Sequence, residues 1–330
     1  MENLCFEGAC NHLPSESALA RFGVAALVSI PLLWQQRRDV ILGGLECGMW
    51  ISLGYVAQAM ALTTIPAGKC AFICSLTVVF VPFVSALFHG RPIKFMNLIA
   101  AAVALTGVGV LEGLVDVNSL LGIQPADLGM APSMTTAVST SSVETALVAP
   151  GPVDTLAQYL GVGRGDLLAL GQPIGFGYSF LRIEHYQEKF KDVPSRILTI
   201  AAAQCVAVGL LTFFWVLVDY HGTLPDLSYM IEPHHLAAIG WTGIVTTVFA
   251  IFLEGIALQT ATATDASITF STEPVWASLF GFFLLREQLN MNSYIGGAII
   301  LTACLVAALS DLRADKKSEA DVEVTSEYQP

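Results

Sequence analysis

The sequence contains little charge for its length. Only 13% of its 330 residues are Asp, Glu, Lys or Arg, whereas 54% are hydrophobic and the mean hydropathy is +0.65. An average soluble domain carries about twice that share of charge. Uncharged runs such as 70–88 and 197–218 match the ~20 residues that cross a hydrocarbon core of ~30 Å. This pattern excludes one large soluble core and predicts an all-α integral membrane protein.

Signatures of catalysis and of metal binding are also missing from the sequence. It has no HExxH, no GxSxG and no Walker-type Gly-Lys-Ser/Thr motif. The seven cysteines form neither a disulfide framework nor a metal-ligand spacing. We therefore expect no enzyme activity, no cofactor and no metal site. The formal charge of -12 gives no sign of a nucleic-acid partner.

Hydrophobic blocks separated by polar residues predict about nine transmembrane helices. We place them at residues 18–34, 41–63, 70–88, 95–115, 167–181, 197–218, 236–258, 266–285 and 291–310. The segment 116–164 is long and rich in Ser and Thr, and we expect it to be a flexible exterior loop. The acidic tail 313–330 has few apolar residues to bury, which predicts a disordered segment.

The basic residues predict how the chain is oriented. Alternate loops on one side collect eleven Lys and Arg residues, and the other side receives four. Because basic residues favour the cytoplasmic side, the C-terminus is predicted to be cytoplasmic. This rule does not distinguish the plasma membrane from an organelle envelope, and both stay open.

Two helices of the sequence are used twice. Shifting the chain by 196 residues superposes 61–110 on 257–306 without a gap. Identical pairs include Ala61/Ala257, Thr64/Thr260, Ser75/Ser271, Val79/Val275, Leu105/Leu301 and Thr106/Thr302. The loops 90–92 and 286–288 fall on opposite predicted sides, so the copies run in opposite directions across the membrane. Inverted repeats of this kind are typical of carriers that work by alternating access.

Several segments resemble the EamA branch of the drug/metabolite transporter superfamily. They are Ala20-Arg21-Phe22, Pro31 before Arg37-Arg38, SLTVVFVPFVSALFHG at 75–90, Gly165-Asp166-Leu167, and STEPVWASLFGFFLLREQL at 271–289. The resemblance implies ten helices in two inverted five-helix halves, both ends in the cytoplasm, and transport of small organic solutes. We assign the first repeat to 18–115, with four helices, and the second to 165–312, with five.

The sequence departs from this family pattern at its start. Residues 1–17 are polar where the family has its first helix. We expect that this helix is missing because the N-terminus is truncated or mis-assigned. The alternative is a nine-helix protein with an exterior N-terminus.

Glu273 is the leading candidate residue for the substrate or ion pathway. It stands near the middle of an apolar span, where an acid costs about 2.5 to 3.5 kcal/mol and needs a polar partner, a cavity or a proton. Pro274 follows it and lacks an N–H, which leaves a backbone carbonyl free to line a cavity. The resemblance implies that this Glu-Pro pair lies near a central cavity. A structural hydrogen bond is the alternative role for Glu273.

Further candidates are polar or aromatic residues within the spans. Gln58 and Glu254 are equivalent under the 196-residue shift, and they line or gate the pathway or else form interhelical hydrogen bonds. Lys69 meets an anionic solute or serves as an interface anchor. The aromatic residues are candidate cavity walls, with ordinary packing as the alternative; they are Trp50, Tyr55, Tyr178 and Trp276.

We therefore expect transport of a small organic metabolite, with proton coupling and exchange both open. The expected partners are the solute and the lipid bilayer, and a homodimer stays open. A sugar-phosphate or nucleotide-sugar exchanger is the first alternative, although such a carrier needs several cavity Lys or Arg residues and the spans offer almost none. A non-transporting membrane interaction or sensor protein is the second.

Overall fold

The computed structural model describes residues 13–65, 67–89, 95–112, 163–223, 225, 228, 232–285 and 291–307. These residues form helices and turns, without a strand among them. The prediction of an all-α membrane fold is confirmed. Residues 1–12, the loop 116–162 and the tail 313–330 lie outside the described residues, so the predictions made for them stay predictions.

Thirteen α-helices follow one another along the described chain. They are α1 (Pro14–Ser29), α2 (Arg38–Leu62), α3 (Ala67–Ser75), α4 (Thr77–His89), α5 (Phe95–Leu111), α6 (Arg164–Ala169), α7 (Gly171–Lys189), α8 (Arg196–Asp219), α9 (Pro233–Gly240), α10 (Ala250–Ala257), α11 (Ala263–Phe270), α12 (Glu273–Leu285) and α13 (Met291–Ala307). A 3₁₀ turn, Ile30–Leu33, extends α1, and a π-helical segment, Trp241–Phe249, joins α9 to α10.

Five stretches of the described chain are long and apolar enough to cross a membrane: Pro14–Leu33, Arg38–Leu62, Lys69–Leu87, Arg196–Asp219 and His235–Ala257. Two shorter apolar helices, α5 and α13, accompany them. Many large apolar side chains in these helices are exposed, for example Leu87 at 78%. Lipid is the solvent that suits such a surface.

Two of the predicted helix ends are wrong. α1 begins at Pro14 rather than at residue 18, and the fixed φ of Pro suits the first turn of a helix. α7 does not end at residue 181 but continues to Lys189. It continues because Arg182, which looks like the end of an apolar span, forms an ion pair with Glu46 on α2.

The described helices form two compact units. The first combines Met1–Thr63 with Leu168–Ala266, and the second combines Thr64–Leu167 with Ser267–Pro330. Each unit therefore takes segments from both halves of the sequence.

Small residues hold the first unit together. α2 packs against α7 and α8, and α8 packs against α1. Gly44 and Gly48 of α2 face Ala203 and Ala207 of α8, and a Cβ atom added at Gly48 would lie 2.5 Å from Ala207 Cβ. Such close backbone approach is a common way for membrane helices to associate, because lipid removes the hydrophobic drive between them.

In the second unit, α5 and α13, which are equivalent under the repeat, approach each other closely. A Cβ atom added at Gly296 would lie 2.5 Å from Leu111 N and 2.6 Å from Gly107 O. A small cluster formed by Val78, Ala100, Ala101, Ile268 and Ala307 packs beside this crossing.

Gly296→Ala is expected to destabilise the protein by about 1 to 3 kcal/mol, because backbone atoms must move to admit the methyl group. Gly297→Ala is the matched control, since its Cβ would meet Val275 Cγ1 at an ordinary 3.6 Å. Thermal unfolding in detergent measures both. Equal melting temperatures for the two variants would contradict the close crossing.

Candidate transport pathway

The second unit contains two interrupted helices at equivalent places. The 196-residue shift carries α4 onto α12 and α5 onto α13 residue for residue, and it carries α3 onto α11 with one residue of difference at the end. The chain therefore breaks between α3 and α4 in the same place as between α11 and α12. Each pair was predicted as one continuous span; the first, Lys69–Leu87, is one apolar stretch of membrane-spanning length with a turn at Leu76 inside it.

The backbone makes the same turn at both interruptions. At the first, Leu76 N donates a hydrogen bond to Ile73 O at 3.1 Å. At the second, the shift-related Thr272 N donates to Thr269 O at 3.0 Å. These are 3₁₀-type bonds, which tighten a helix where the α-helical ladder stops.

Serine hydroxyls complete both interruptions. Ser75 Oγ donates to Phe72 O at 2.7 Å, and Ser271 Oγ donates to Ile268 O at 2.5 Å. Such a bond satisfies a carbonyl of the last turn, which has lost its helical partner. Ser75 and Ser271 are identical under the repeat, so sequence identity and local geometry coincide here.

Glu273 and Pro274 are the first two residues of α12, immediately after the second interruption. Pro274 has no N–H to lose in the first turn of a new helix, which explains physically why α12 starts here. Glu273 makes no hydrogen bond or ion pair with the described residues. Trp276 is 52% exposed on the same helix.

Lys69, also in the second unit, is paired. Its Nζ lies 2.7 Å from Asp166 and donates a hydrogen bond to Oδ2. The same oxygen accepts a bond from Gly163 N at 2.9 Å, so Asp166 also caps α6. Burial acts to raise the pKa of Asp166, but these two hydrogen bonds and the Lys69 charge hold that pKa below its usual value. Asp166 precedes the predicted span and lies outside it.

Aromatic side chains line the contact of α2 with α7 in the first unit. The rings of Trp50 and Tyr178 lie 4.5 Å apart between centroids. Tyr55 contacts Phe176 edge to face at 4.8 Å and Phe22 of α1 at 4.7 Å. The predicted wall residues of this unit therefore lie in two aromatic contacts between α2 and α7, and Phe22 and Phe176, which were not predicted, take part in the second.

Glu254 of α10 is a half-buried acid of the first unit. Its Oε1 atom is buried and accepts no hydrogen bond from the residues that the structure describes. On α7, Gln187 donates to the neighbouring Gly255 O at 3.4 Å. Gln58, which is equivalent to Glu254 under the 196-residue shift, is half-buried on α2.

Arg21 has a position that the sequence analysis did not foresee. It lies on α1, and its Nε donates to Thr247 Oγ1 at 2.8 Å while Nη2 donates to Thr246 O at 3.3 Å. Both partners belong to the π-helical segment, in which Thr247 Oγ1 donates to the carbonyl of Thr242, five residues back. π-Helical segments occur often at functional sites. No local sequence signal points to this contact, because the residues are far apart along the chain.

A second polar network joins α2 to α7. Arg182 Nε lies 2.7 Å from Glu46 Oε1, and Arg182 Nη2 donates to Tyr186 Oη at 2.8 Å. Tyr186 in turn donates to Glu46 Oε2. These contacts pair Glu46 inside the first unit.

The described residues include no group of three or more His, Cys, Asp and Glu side chains placed to bind a metal ion. Cys70 and Cys74, which share one turn of α3, have their sulfur atoms 3.9 Å apart.

The fold and these features define a class. Apolar helices of membrane-spanning length, a sequence repeat and paired helix interruptions describe a multi-pass membrane protein of the transporter type. The model of the EamA-like transporter family matches residues 6–112 and 163–309. The chain belongs to this family.

Similar proteins are described as transporters. The uncharacterized transporter YwfM of Bacillus subtilis (strain 168) is 30% identical over 158 residues, which is 47% of this chain and 49% of YwfM. The chain thus spans about half the length of that relative. An uncharacterized transporter of Archaeoglobus fulgidus is 23% identical over 291 residues, 88% of this chain and 75% of the relative.

A solved crystal structure has the same fold. It superposes with a TM-score of 0.61 at 17% sequence identity, covering 92% of this chain and 90% of the other. At this identity the likeness concerns the fold alone.

Asp166→Asn is expected to lower the unfolding free energy by about 1 kcal/mol, since the ion pair with Lys69 is half-exposed. Because folding lowers the pKa of Asp166, its contribution is present above about pH 3.9, the unfolded value, and is lost as the pH falls through the folded value. The melting-temperature difference between wild type and variant should therefore shrink as the pH falls below about 4.

Asp192→Asn is the control for this comparison. Asp192 pairs with Arg37 at 3.1 Å but is 71% exposed, so its loss should change the melting temperature less. A wild-type advantage over Asp166→Asn that stays constant down to about pH 2 would contradict the assignment.

Proposed function

We propose that this EamA-family membrane protein carries a small organic metabolite across the bilayer by alternating access of its two inverted repeats. The C-terminus is on the cytoplasmic side, as the distribution of Lys and Arg indicates. Either a proton gradient or exchange of one solute for another drives the cycle, since the sequence has no Walker-type nucleotide motif.

The observation that carries this proposal is the pair of equivalent interruptions, α3/α4 and α11/α12. A helix break inside the hydrocarbon core is tolerated only where its backbone groups are satisfied by protein or line a polar cavity. In secondary transporters, such broken helices occur in both repeats and hold the solute and the coupling ion near the bilayer midplane. The recurrence of one break after 196 residues matches this arrangement.

Glu273 is the residue of the interruptions best suited to bind a solute or a proton. It stands at the N-terminus of α12, where the helix dipole stabilises a negative charge. It has no partner among the described residues, although an acid within the hydrocarbon core costs about 2.5 to 3.5 kcal/mol. A proton, or a polar group of the solute, would supply the missing partner. Pro274 and Trp276 then position and shield this acid.

Glu273→Gln is expected to reduce solute flux at least tenfold, or to remove its dependence on a pH gradient, because the amide cannot release a proton. Uptake of a metabolite panel into proteoliposomes, with and without a pH gradient, measures this effect. Glu188→Gln is the matched control, because Glu188 is an exposed acid near the end of α7 that pairs with Lys191. This variant should leave flux unchanged.

The alternatives make different predictions for the same assay. A sensor or interaction protein gives no flux in wild type despite a folded protein. A sugar-phosphate or nucleotide-sugar exchanger gives flux only for phosphorylated members of the panel. Flux that is identical in wild type and Glu273→Gln, in size and in pH response, would remove Glu273 from the mechanism.

A further inference from the structure

Arg21 is a cation inside an apolar helix. It is the eighth residue of the span Pro14–Leu33, which places it about 10 Å along the helix axis from the first residue. The side chain is half-buried, and no carboxylate of the described residues forms an ion pair with it. Basic residues inside membrane spans generally face the protein interior or a polar cavity and mark a substrate or ion path.

The hydrogen bonds of Arg21 occupy only one edge of its guanidinium group. Nε and Nη2 both point to the π-helical segment, where they donate to Thr247 Oγ1 and Thr246 O. Because arginine has five N–H donors, three remain without a described protein acceptor. Two of these, one on Nη1 and one on Nη2, form the parallel pair at the end of the group, which is the geometry that binds a carboxylate through both oxygens.

Two aromatic rings flank this cation and do not use the N–H groups at that end. The guanidinium carbon lies 5.0 Å from the ring centroid of Phe22 and 5.8 Å from that of Tyr55. Such contacts stabilise the charge through the ring faces and use none of its N–H groups. Tyr55 also contacts Phe176, so an apolar surface extends from the cation.

The approach of α1 to the π-helical segment holds Arg21 in place. A Cβ atom added at Gly243 would lie 2.8 Å from Arg21 O, so only glycine permits this distance. Fixed donors bind an anion better than mobile ones, since less freedom is lost on binding. Arg21 is therefore a preorganised cation beside an aromatic surface.

We propose that Arg21 binds the carboxylate of an organic anion whose apolar or aromatic part contacts the surface formed by Phe22, Tyr55 and Phe176. This inference rests on the proposed function and specifies its substrate class. A phosphate group would use the same N–H pair, but a single cation suits a carboxylate with one negative charge better than a phosphate with two.

The test measures binding separately from transport. Purified full-length protein is titrated with phenylacetate, phenylacetamide and benzyl phosphate, and binding is followed by intrinsic tryptophan fluorescence. Wild type should bind phenylacetate at least tenfold more tightly than the amide, because charged hydrogen bonds distinguish the two. Arg21→Gln should reduce this ratio to about one, and Arg21→Lys should retain only part of it, since lysine lacks the fork.

Arg37→Gln is the control, because Arg37 is exposed and paired with Asp39 and Asp192. The acid-to-amide affinity ratio of this variant should match that of wild type. Thermal unfolding of each variant without ligand shows whether the variant is folded. If Arg21→Gln does not fold, Arg21→Lys supplies the comparison with wild type. An equal acid-to-amide ratio in wild type and Arg21→Lys would overturn the proposal, as would tighter binding of benzyl phosphate than of phenylacetate by wild type.

Failure of this proposal differs from failure of the proposed function. Flux of neutral solutes with no acid-to-amide preference would leave the transporter intact and remove the role of Arg21. A clear acid preference without flux of any solute would support the anion site and contradict transport.

Discussion

The hydrocarbon core of a bilayer offers no water to a broken helix, and this constraint governs the rest of the structure. Each interruption must satisfy its own backbone groups. The Ser75 and Ser271 hydroxyls donate to the carbonyls three residues earlier. The backbone N–H groups of Leu76 and Thr272 form 3₁₀-type bonds at the same places. Because these bonds are local, the same arrangement recurs in both copies of the repeat.

The same constraint explains how the helices pack and where the polar residues lie. Close contacts through Gly48 and Gly296 let backbones approach where lipid gives no hydrophobic drive. Glu46, Arg182 and Tyr186 satisfy one another inside the first unit. Glu254, Glu273 and Arg21 stand apart from this rule, since each retains polar capacity that the described residues do not use. Two of them, Glu273 and Arg21, are the residues for which we propose proton or solute binding.

The helices and the 196-residue repeat could be predicted from the sequence, because hydropathy and identity act along the chain. The interruptions could not. Pro274 hinted at the second, but Leu76 at the first has no Gly or Pro beside it, and only the shift that superposes it on Thr272 reveals the break. The end of α7 was predicted too early because Arg182 looks like a membrane boundary until its partner Glu46 is known. The contact of Arg21 with Thr247 depends on tertiary packing across 226 residues, which no local pattern encodes.

The central claim is that a solute pathway reaches both interruptions. Single cysteines introduced in place of Leu76 and Thr272, treated with a membrane-impermeant thiol reagent in right-side-out and inside-out vesicles, test it most directly. The unmodified chain, which contains native cysteines, sets the baseline. The account predicts labelling above that baseline at both positions, with access from both sides of the membrane. Folded variants in which neither position reacts from either side would show that the interruptions are sealed in packing, and would contradict the account.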